Sequence, residues 1–576
     1  MRHLKYSVVI AVLSISQISF AQKKDDNIGT EVVNVVKPYT PSISDAFKVK
    51  ETPTLDDEET SKKENIQYNI FSFPVASTFA PAKGRAASVD KSAEEKIFSN
   101  YLTLGAGNFG TINAELFITE NISNTDYFGG MLRHNSTQGG TKDAVLDDKM
   151  FNTSLDLTYG SRAVGLSWNA DLGYKNQMYN WFGVYPGLFD AATIATIDEQ
   201  QTYHTLYLGG RLGLDNILKE STVKFSRFWD AFGSAENRFV AKPSLEFDVV
   251  EQKIKADFVL DYINGSFDQT FNGGDSYKYG FTNVGFQPSI RITKGDLSLN
   301  AGAGFFYSAA QEGGQSKFFI YPQVTGAYKV VGDLMIFYAG LEGTLKQNSY
   351  SDFVQENFFV SPTLGVAPTD QKYDLFAGLK GKLASSVSYN IRGSYKNEEG
   401  KALFRSNIYN QSNPNSDGYT FANSFDVVYD KVKTLSFFGE LKADFSKNVS
   451  FGINGTFSNY STAVEKEAWN LPAIKVASTL DVNITPKWYA GTSLFFVGER
   501  KDIFEQSAIN LPFPPDQNIT LDSYFDLNAH IGYKFSERLT FFLKGNNLVN
   551  QDYQRWFNYP VQGLQILGGA SYKFDF

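Results

Sequence analysis

The chain predicts an all-β fold: a closed antiparallel transmembrane β-barrel of about 22–24 strands with a mostly disordered N-terminal periplasmic tail. Three observations carry this expectation. From about Phe98 to Phe576, apolar and polar residues alternate with a period of two. Many of these runs reach about ten residues, the length of a tilted strand that crosses a membrane. The links between runs alternate short and long, as the two rims of an outer-membrane barrel do.

The last run, Gly563 to Phe576, shows the pattern most plainly. Leu564, Ile566, Ala570, Tyr572, Phe574 and Phe576 share one parity, while Gln565, Ser571, Lys573 and Asp575 share the other. One face suits lipid and the other a watery lumen. The 50 Phe and 32 Tyr residues suit the aromatic girdles of such a barrel. A formal charge of -9 offers no basic face for nucleic acid. With no cysteine there is no disulfide framework, thiolate nucleophile, Cys-based metal site or lipid-anchoring cysteine.

Residues 1–21 read as a secretory signal. Arg2, His3 and Lys5 precede a short apolar core from Val8 to Ile15, and Ser19-Phe20-Ala21 places cleavage before Gln22. That core is far shorter than the roughly 20 residues a spanning helix needs. Residues 22–97 form an extended periplasmic segment. It holds the acidic run Asp56 to Glu59 and prolines at 38, 41, 53, 74 and 81, with no sustained apolar period. Within it, Thr30-Glu31-Val32-Val33-Asn34-Val35-Val36 is β-prone. It is either plain linker, a strand packed on its own barrel, or a segment that adds to a partner's sheet edge.

Residues 98–576 make the barrel. Leu166, Trp168, Ala170, Leu172 and Tyr174 alternate with Gly165, Ser167, Asn169, Asp171 and Gly173. Ile254, Ala256, Phe258, Leu260 and Tyr262 alternate with Lys255, Asp257 and Asp261. Short turns are expected at Ser161-Arg162, Lys294-Gly295, Val331-Gly332, Ala384 to Ser386, Ser446 to Asn448, Pro486 and Ser536 to Arg538. Longer links fall at Gly183 to Gln200, Asn264 to Ser276, Lys346 to Lys372, Tyr460 to Ile474, Arg500 to Asn518 and Gln551 to Gln562. Counting back from Phe576 puts the N-terminus on the short-turn rim. It also puts the polar link Asn410 to Thr420 there, as an exception. Between Asn100 and Thr119, Gly105, Gly107 and Gly110 allow a tight turn or a bend. Lys346 to Lys372 is the longest link, and reads as a surface loop or as an inward constriction.

The last hundred or so residues resemble the barrel end of TonB-dependent receptors. The likeness is carried by Tyr524-Phe525-Asp526-Leu527-Asn528, Ile531-Gly532-Tyr533-Lys534-Phe535, Leu539 to Leu548 and Asp552-Tyr553, and by the closing Tyr572-Lys573-Phe574. By strand pattern it extends back to about Phe98. The resemblance implies that the terminal strand, through Gly568, Tyr572, Phe574 and Phe576, is what the barrel-assembly machinery recognises. Thr30, Glu31, Val32 and Val33 loosely resemble the box by which such receptors engage TonB. The chain departs from the family in one respect. Residues 22–97 are too polar and too proline-broken for the family's plug domain, so the chain resembles a plug-less relative.

Other chemistry finds little support. His134, His204 and His530 lie far apart on different predicted strands, and His3 leaves with the signal. Asp147-Asp148 and Asp56 to Glu59 lack the spaced ligands of a calcium loop. Gly105-Ala106-Gly107 is followed by strand and not by the helix start a phosphate loop needs. Trp168, Trp229, Trp488 and Trp556 suit membrane interfaces, and Trp181 and Phe182 are loop aromatics able to contact sugar or peptide. The expected function is passage of a solute across the outer membrane, with no enzymatic activity and no cofactor. The alternative is a non-transporting barrel subunit of a larger assembly, docking through its tail or loops. Expected partners are outer-membrane lipid, the assembly machinery, and TonB or another outer-membrane or periplasmic protein, but no nucleic acid.

Overall fold

The computed structural model describes residues 97–576 apart from 216, 250–251, 411–412, 414–415 and 505–516. Residues 1–96, with the expected signal at 1–21 and Thr30 to Val36, lie outside the described residues. From Asn100 onward the barrel strands pair antiparallel in chain order, the hairpins Arg500–Phe504 with Gln517–Leu521 and Gln554–Trp556 with Tyr559–Pro560 standing outside the sheet, and the last strand, Gln565–Phe574, pairs with the first, Asn100–Gly107. The sheet therefore closes. Its 23 strand segments make 22 staves, because Ala235–Lys242 and Ser244–Val249 both pair with Gln252–Phe267 and are halves of one stave. Pro243, which has no N–H to give the ladder, stands between the halves.

The strands form where alternation is cleanest, and their outward faces are apolar. Leu102, Leu104, Leu172, Tyr174, Phe258, Leu260, Leu375 and Leu543 are all exposed. An exposed apolar band around a closed sheet is what lipid solvates well, and the closed ladder leaves it no open edge. The uncertain stretch after Asn100 is two strands, Asn100–Gly107 and Ile112–Asn121. They are joined by a tight turn through Phe109 and Gly110, with φ of 56° and 57°.

One rim carries the short turns, and Gly165, Gly295 and Gly332 adopt positive φ there. The other carries the long links. The link after Ser406 lies on the long-link rim, contrary to the expectation for Asn410 to Thr420. Its flanking strands, Val387–Ser406 and Phe425–Ser446, run 20 and 22 residues, well beyond a membrane crossing. The first continues through an irregularity between Glu398 and Lys401, with Gly400 at φ 67°, so the chain does not turn there. The link meets the other long loops directly: Asn410 Nδ2 donates to the Phe271 carbonyl at 2.6 Å.

The seam is packed backbone to backbone. A Cβ on Gly569 would lie 2.4 Å from the Leu104 carbonyl oxygen and 2.4 Å from the Phe542 ring. Only glycine fits there. Gly569→Val is expected to destabilise the barrel by about 1–3 kcal/mol through overpacking. A lowered unfolding temperature in heat-modifiability gels checks this, and an unchanged transition would contradict it.

Candidate functional site

The lumen wall changes character along its height. On Gln252–Phe267, Lys255, Asp257 and Asp261 line the lumen. Further up the same parity stand Ile263 and Phe267, both fully buried. On Tyr277–Lys294, Tyr279 and Phe281 are buried at the long-link end, whereas Gln287 lines the lumen lower down. The lower lumen wall is polar, and the apolar upper wall is buried against an apolar filling. That filling is the segment 347–368, between the strands Met335–Lys346 and Thr369–Ala384.

This segment holds a one-to-two-turn helix, Tyr350–Glu356. A helix this short is not stable alone, so its surroundings must hold it. Ser349 caps it, accepting the Asp352 amide at 3.0 Å. Tyr350, Phe353, Val354, Val360 and Leu364 are buried in one cluster with Tyr203, Phe228, Ile263, Phe267, Phe404 and Phe425. These partners come from strands on both sides of the lumen, so the segment spans it. Fully burying such side chains contributes about 1.5–3 kcal/mol each.

Polar contacts fix the segment to one wall. Tyr350 Oη donates to Asp230 at 2.8 Å, and its amide donates to Glu236 at 2.7 Å. Tyr279 Oη donates to the same Glu236 oxygen at 2.6 Å. Arg238 holds Asp261 through two nitrogens, at 2.9 and 2.8 Å, and reaches Asp352 with a third at 2.9 Å. Burial, with Asp230 beside it, pushes the Tyr350 hydroxyl well above its ordinary range, so it remains a donor. Toward the other wall, Ser361 N donates to Phe425 O at 2.9 Å and Phe425 N to Phe359 O at 3.0 Å. Tyr429 Oη donates to Gly365 O at 3.0 Å. The Phe359 ring stacks on Tyr559 with centroids 3.5 Å apart, and Phe358 stacks on Tyr179 at 3.9 Å.

Other loops complete a layer over the lumen. The hairpin Arg500–Phe504 with Gln517–Leu521 docks through Asp502, which is fully buried. Its carboxylate accepts from Asn470 Nδ2 at 2.9 Å and from the Ser406 amide at 3.1 Å. Burial raises Asp502 to about 6.

Of the residues singled out from sequence, Gly568, Tyr572 and Phe574 lie on the closing strand, and Phe576 follows it, exposed. Their rings run down one edge: Phe574 lies 6.2 Å from Tyr572 and 5.4 Å from Phe576. Thr30, Glu31, Val32 and Val33 are outside the described residues. Lys346 to Lys372 is the inward constriction, and not a surface loop.

Two aromatic assignments change. Trp556 is not at a membrane interface; it packs in the loop layer against Phe404 and Phe425 at 5.4 Å each. Trp181 is not free to contact ligand: it is buried against Phe232 and Tyr419, because the chain after Asn180 turns into the layer. His204 stacks on Trp229, and His134 bonds Thr153 on the neighbouring strand. Both Asp148 oxygens are taken by the Gly139 and Thr141 amides.

The anchors Tyr350, Asp230, Glu236 and Arg238 were not found from sequence. The signal was present in the density of aromatic and β-branched residues in the longest link: Tyr350, Phe353, Val354, Phe358, Phe359 and Val360. A solvated loop has no use for six such residues.

No family model matches the chain, and no curated protein matches it significantly. Solved structures do match in fold. The pyoverdine outer membrane receptor FpvA from Pseudomonas aeruginosa, bound to pyoverdine, is similar over 83% of this chain and 78% of its own. It shows 12% identity and a TM-score of 0.59. The FrpB iron transporter from Neisseria meningitidis covers 84% of this chain and 82% of its own, with 10% identity and a TM-score of 0.63. The ferric-catecholate import receptor Fiu from K12 E. coli covers 83% and 82%, with 11% identity and a TM-score of 0.59. At such identities the likeness is one of fold, and the fold is that of outer-membrane receptors.

Removing a donor from a buried carboxylate costs about 1–3 kcal/mol. Tyr350→Phe is therefore expected to speed amide exchange across residues 349–360 by about 5- to 150-fold, as hydrogen-exchange mass spectrometry reads; equal protection would contradict the anchoring role. Asp502 gives a pH dependence. Its folded value of about 6 lies above its ordinary 3.8, so the docked hairpin binds the proton more tightly. That stabilisation is full below about pH 4 and is lost as pH rises through about 6. Exchange in residues 500–504, corrected for intrinsic rates, is expected to be slower at pH 5 than at pH 7, and Asp502→Asn to abolish the difference.

Proposed function

We propose that this protein is a barrel of the outer membrane that passes a solute, kept closed at rest by its own segment 347–368. The observation that carries this reading is the juxtaposition of a polar lower lumen with an upper lumen filled by a segment anchored to both walls. A barrel of 22 staves is wide enough to enclose a channel or a plugged lumen. Here the filling comes from the barrel's own chain. On this reading the long-link rim faces outside and the short-turn rim faces the periplasm, where the chain enters the barrel at Asn100.

The fold of iron and siderophore receptors supports passage of a solute, as does the resemblance of the terminal region to TonB-dependent receptors. The chain is then a plug-less relative, exported by its signal at residues 1–21. Thr30 to Val33 offers the segment through which TonB or another periplasmic protein engages it. The aromatic edge of Tyr572, Phe574 and Phe576 is what the assembly machinery reads. No enzymatic step is assigned. Nothing among the described residues favours the docking-subunit alternative.

Replacing residues 348–367 by a short Gly/Ser linker is expected to convert a closed barrel into a steadily conducting one. Single-channel recording in planar bilayers checks this, with wild type expected to be mostly silent. A correctly folded loop-replaced barrel that stays silent would overturn the reading.

A further inference from the structure

Resting on that reading, the structure bears on where a solute gets past the closed layer. Withdrawing the segment 347–368 breaks the contacts of Tyr350, Arg238 and Glu236 on one wall and the backbone bonds to Phe425 on the other. Those contacts join buried charged groups, and their loss leaves the buried Glu236 short of a donor. A cheaper route exists beside the segment. A cavity of about 290 Å³ lies between Phe359 and the strand ends at Asp526, Asn546 and Gln565. It shares Asn546, Gln562 and Gln565 with a cavity of about 300 Å³ that runs down the lumen wall past Asn113 and Lys544. On its other side lies a third cavity, of about 220 Å³, lined by Lys142, Asp143 and Asp552. This one meets the outer surface: Lys142 and Asp552 pair at 2.7 Å with side chains 65% and 46% exposed.

Three side chains line both the central and the outer cavity, and so form the wall between them: Phe182, Tyr553 and Pro560. Tyr553 is fixed, donating to Asp526 at 2.8 Å and stacked on Tyr524 at 3.8 Å. Pro560 belongs to the small hairpin Gln554–Trp556 with Tyr559–Pro560. Phe182 is held by ring edges, 4.9 Å from Tyr559 and 5.9 Å from Phe359. Its side chain can turn aside without breaking a hydrogen bond or an ion pair.

The ionisable residues lining these two cavities are mostly acidic. Asp143, Asp148, Glu356, Asp526 and Asp552 face Lys142 and Arg555. Asp526 Oδ1 is buried with no hydrogen-bond partner. Aromatic faces beside carboxylates favour a cation twice, by charge and by the ring quadrupole. We propose that solute passes through this pair of cavities with Phe182 as the gate between them, and that the route selects small cationic solutes over anions.

Full-length protein in planar bilayers tests this. Phe182→Ala is expected to give a small steady conductance with a cation-selective reversal potential, while Phe189→Ala, in the loop layer against Tyr409 and Phe421 but away from both the wall and the segment's cluster, gives none. The chain has no cysteine, so Phe182→Cys creates a single thiol. A methanethiosulfonate bearing trimethylammonium is expected to modify it from either side of the membrane, at least ten-fold faster than one bearing sulfonate. A silent Phe182→Ala barrel beside a conducting 348–367 replacement would overturn the route and leave the conduit reading standing. Modification from one side only, or faster by the anionic reagent, would overturn it too. If neither variant conducts, the conduit reading itself falls.

Discussion

Everything in this molecule depends on the pairing of its first strand with its last. In the apolar part of a membrane an unpaired N–H or C=O costs several kcal/mol, and an open sheet would carry a row of them. Asn100–Gly107 against Gln565–Phe574 removes that row. The register runs unbroken from Asn100 opposite Phe574 to Gly107 opposite Leu567, and Thr103 Oγ1 bonds Ser571 Oγ across it. Glycines let the two backbones and the neighbouring Phe542 ring crowd together there. Outward apolar residues, inward polar ones and two distinct rims all presuppose that this ring is shut.

Shutting the ring creates a second problem, which is the space inside. The lower wall solves it with water-facing side chains such as Lys255 and Asp257. The upper wall solves it with strands that continue past the membrane and turn aromatic inward, so that Ile263, Phe267, Tyr279 and Phe281 meet the helix Tyr350–Glu356. Apolar burial supplies the attraction. The carboxylates of Asp230 and Glu236 supply position, because they take the Tyr350 hydroxyl and amide together only when Tyr350 sits in one place. The segment is thus both filling and cross-tie.

How much of this was legible follows from what each feature needs. Two-residue alternation depends only on which face meets lipid, so the barrel, its outward residues and the short-turn rim could be read from local sequence. The link Asn410 to Thr420 was placed on the wrong rim because strand length is set by the loop layer it encloses. Val387–Ser406 and Phe425–Ser446 run on beyond any membrane thickness to build that enclosure. Lys346 to Lys372 was recognised as the longest link and as one of two things, and its aromatic content decides between them. The anchors Asp230, Glu236 and Arg238 sit in runs that look like any other lumen-facing polar positions. Only the folded register brings Tyr350 to them across more than a hundred residues.

The closing seam also sets how the barrel answers a pull. The chain enters at Asn100 and runs straight up the first strand, whose hydrogen bonds lie crosswise to it on both sides. A tug on the chain ahead of Asn100, directed away from the short-turn rim, loads that strand along its own axis. Its two ladders then bear the force together, in shear, and do not open one bond at a time as a peeled edge would. The joint on which the ring depends is oriented to withstand traction from the side where the chain comes in.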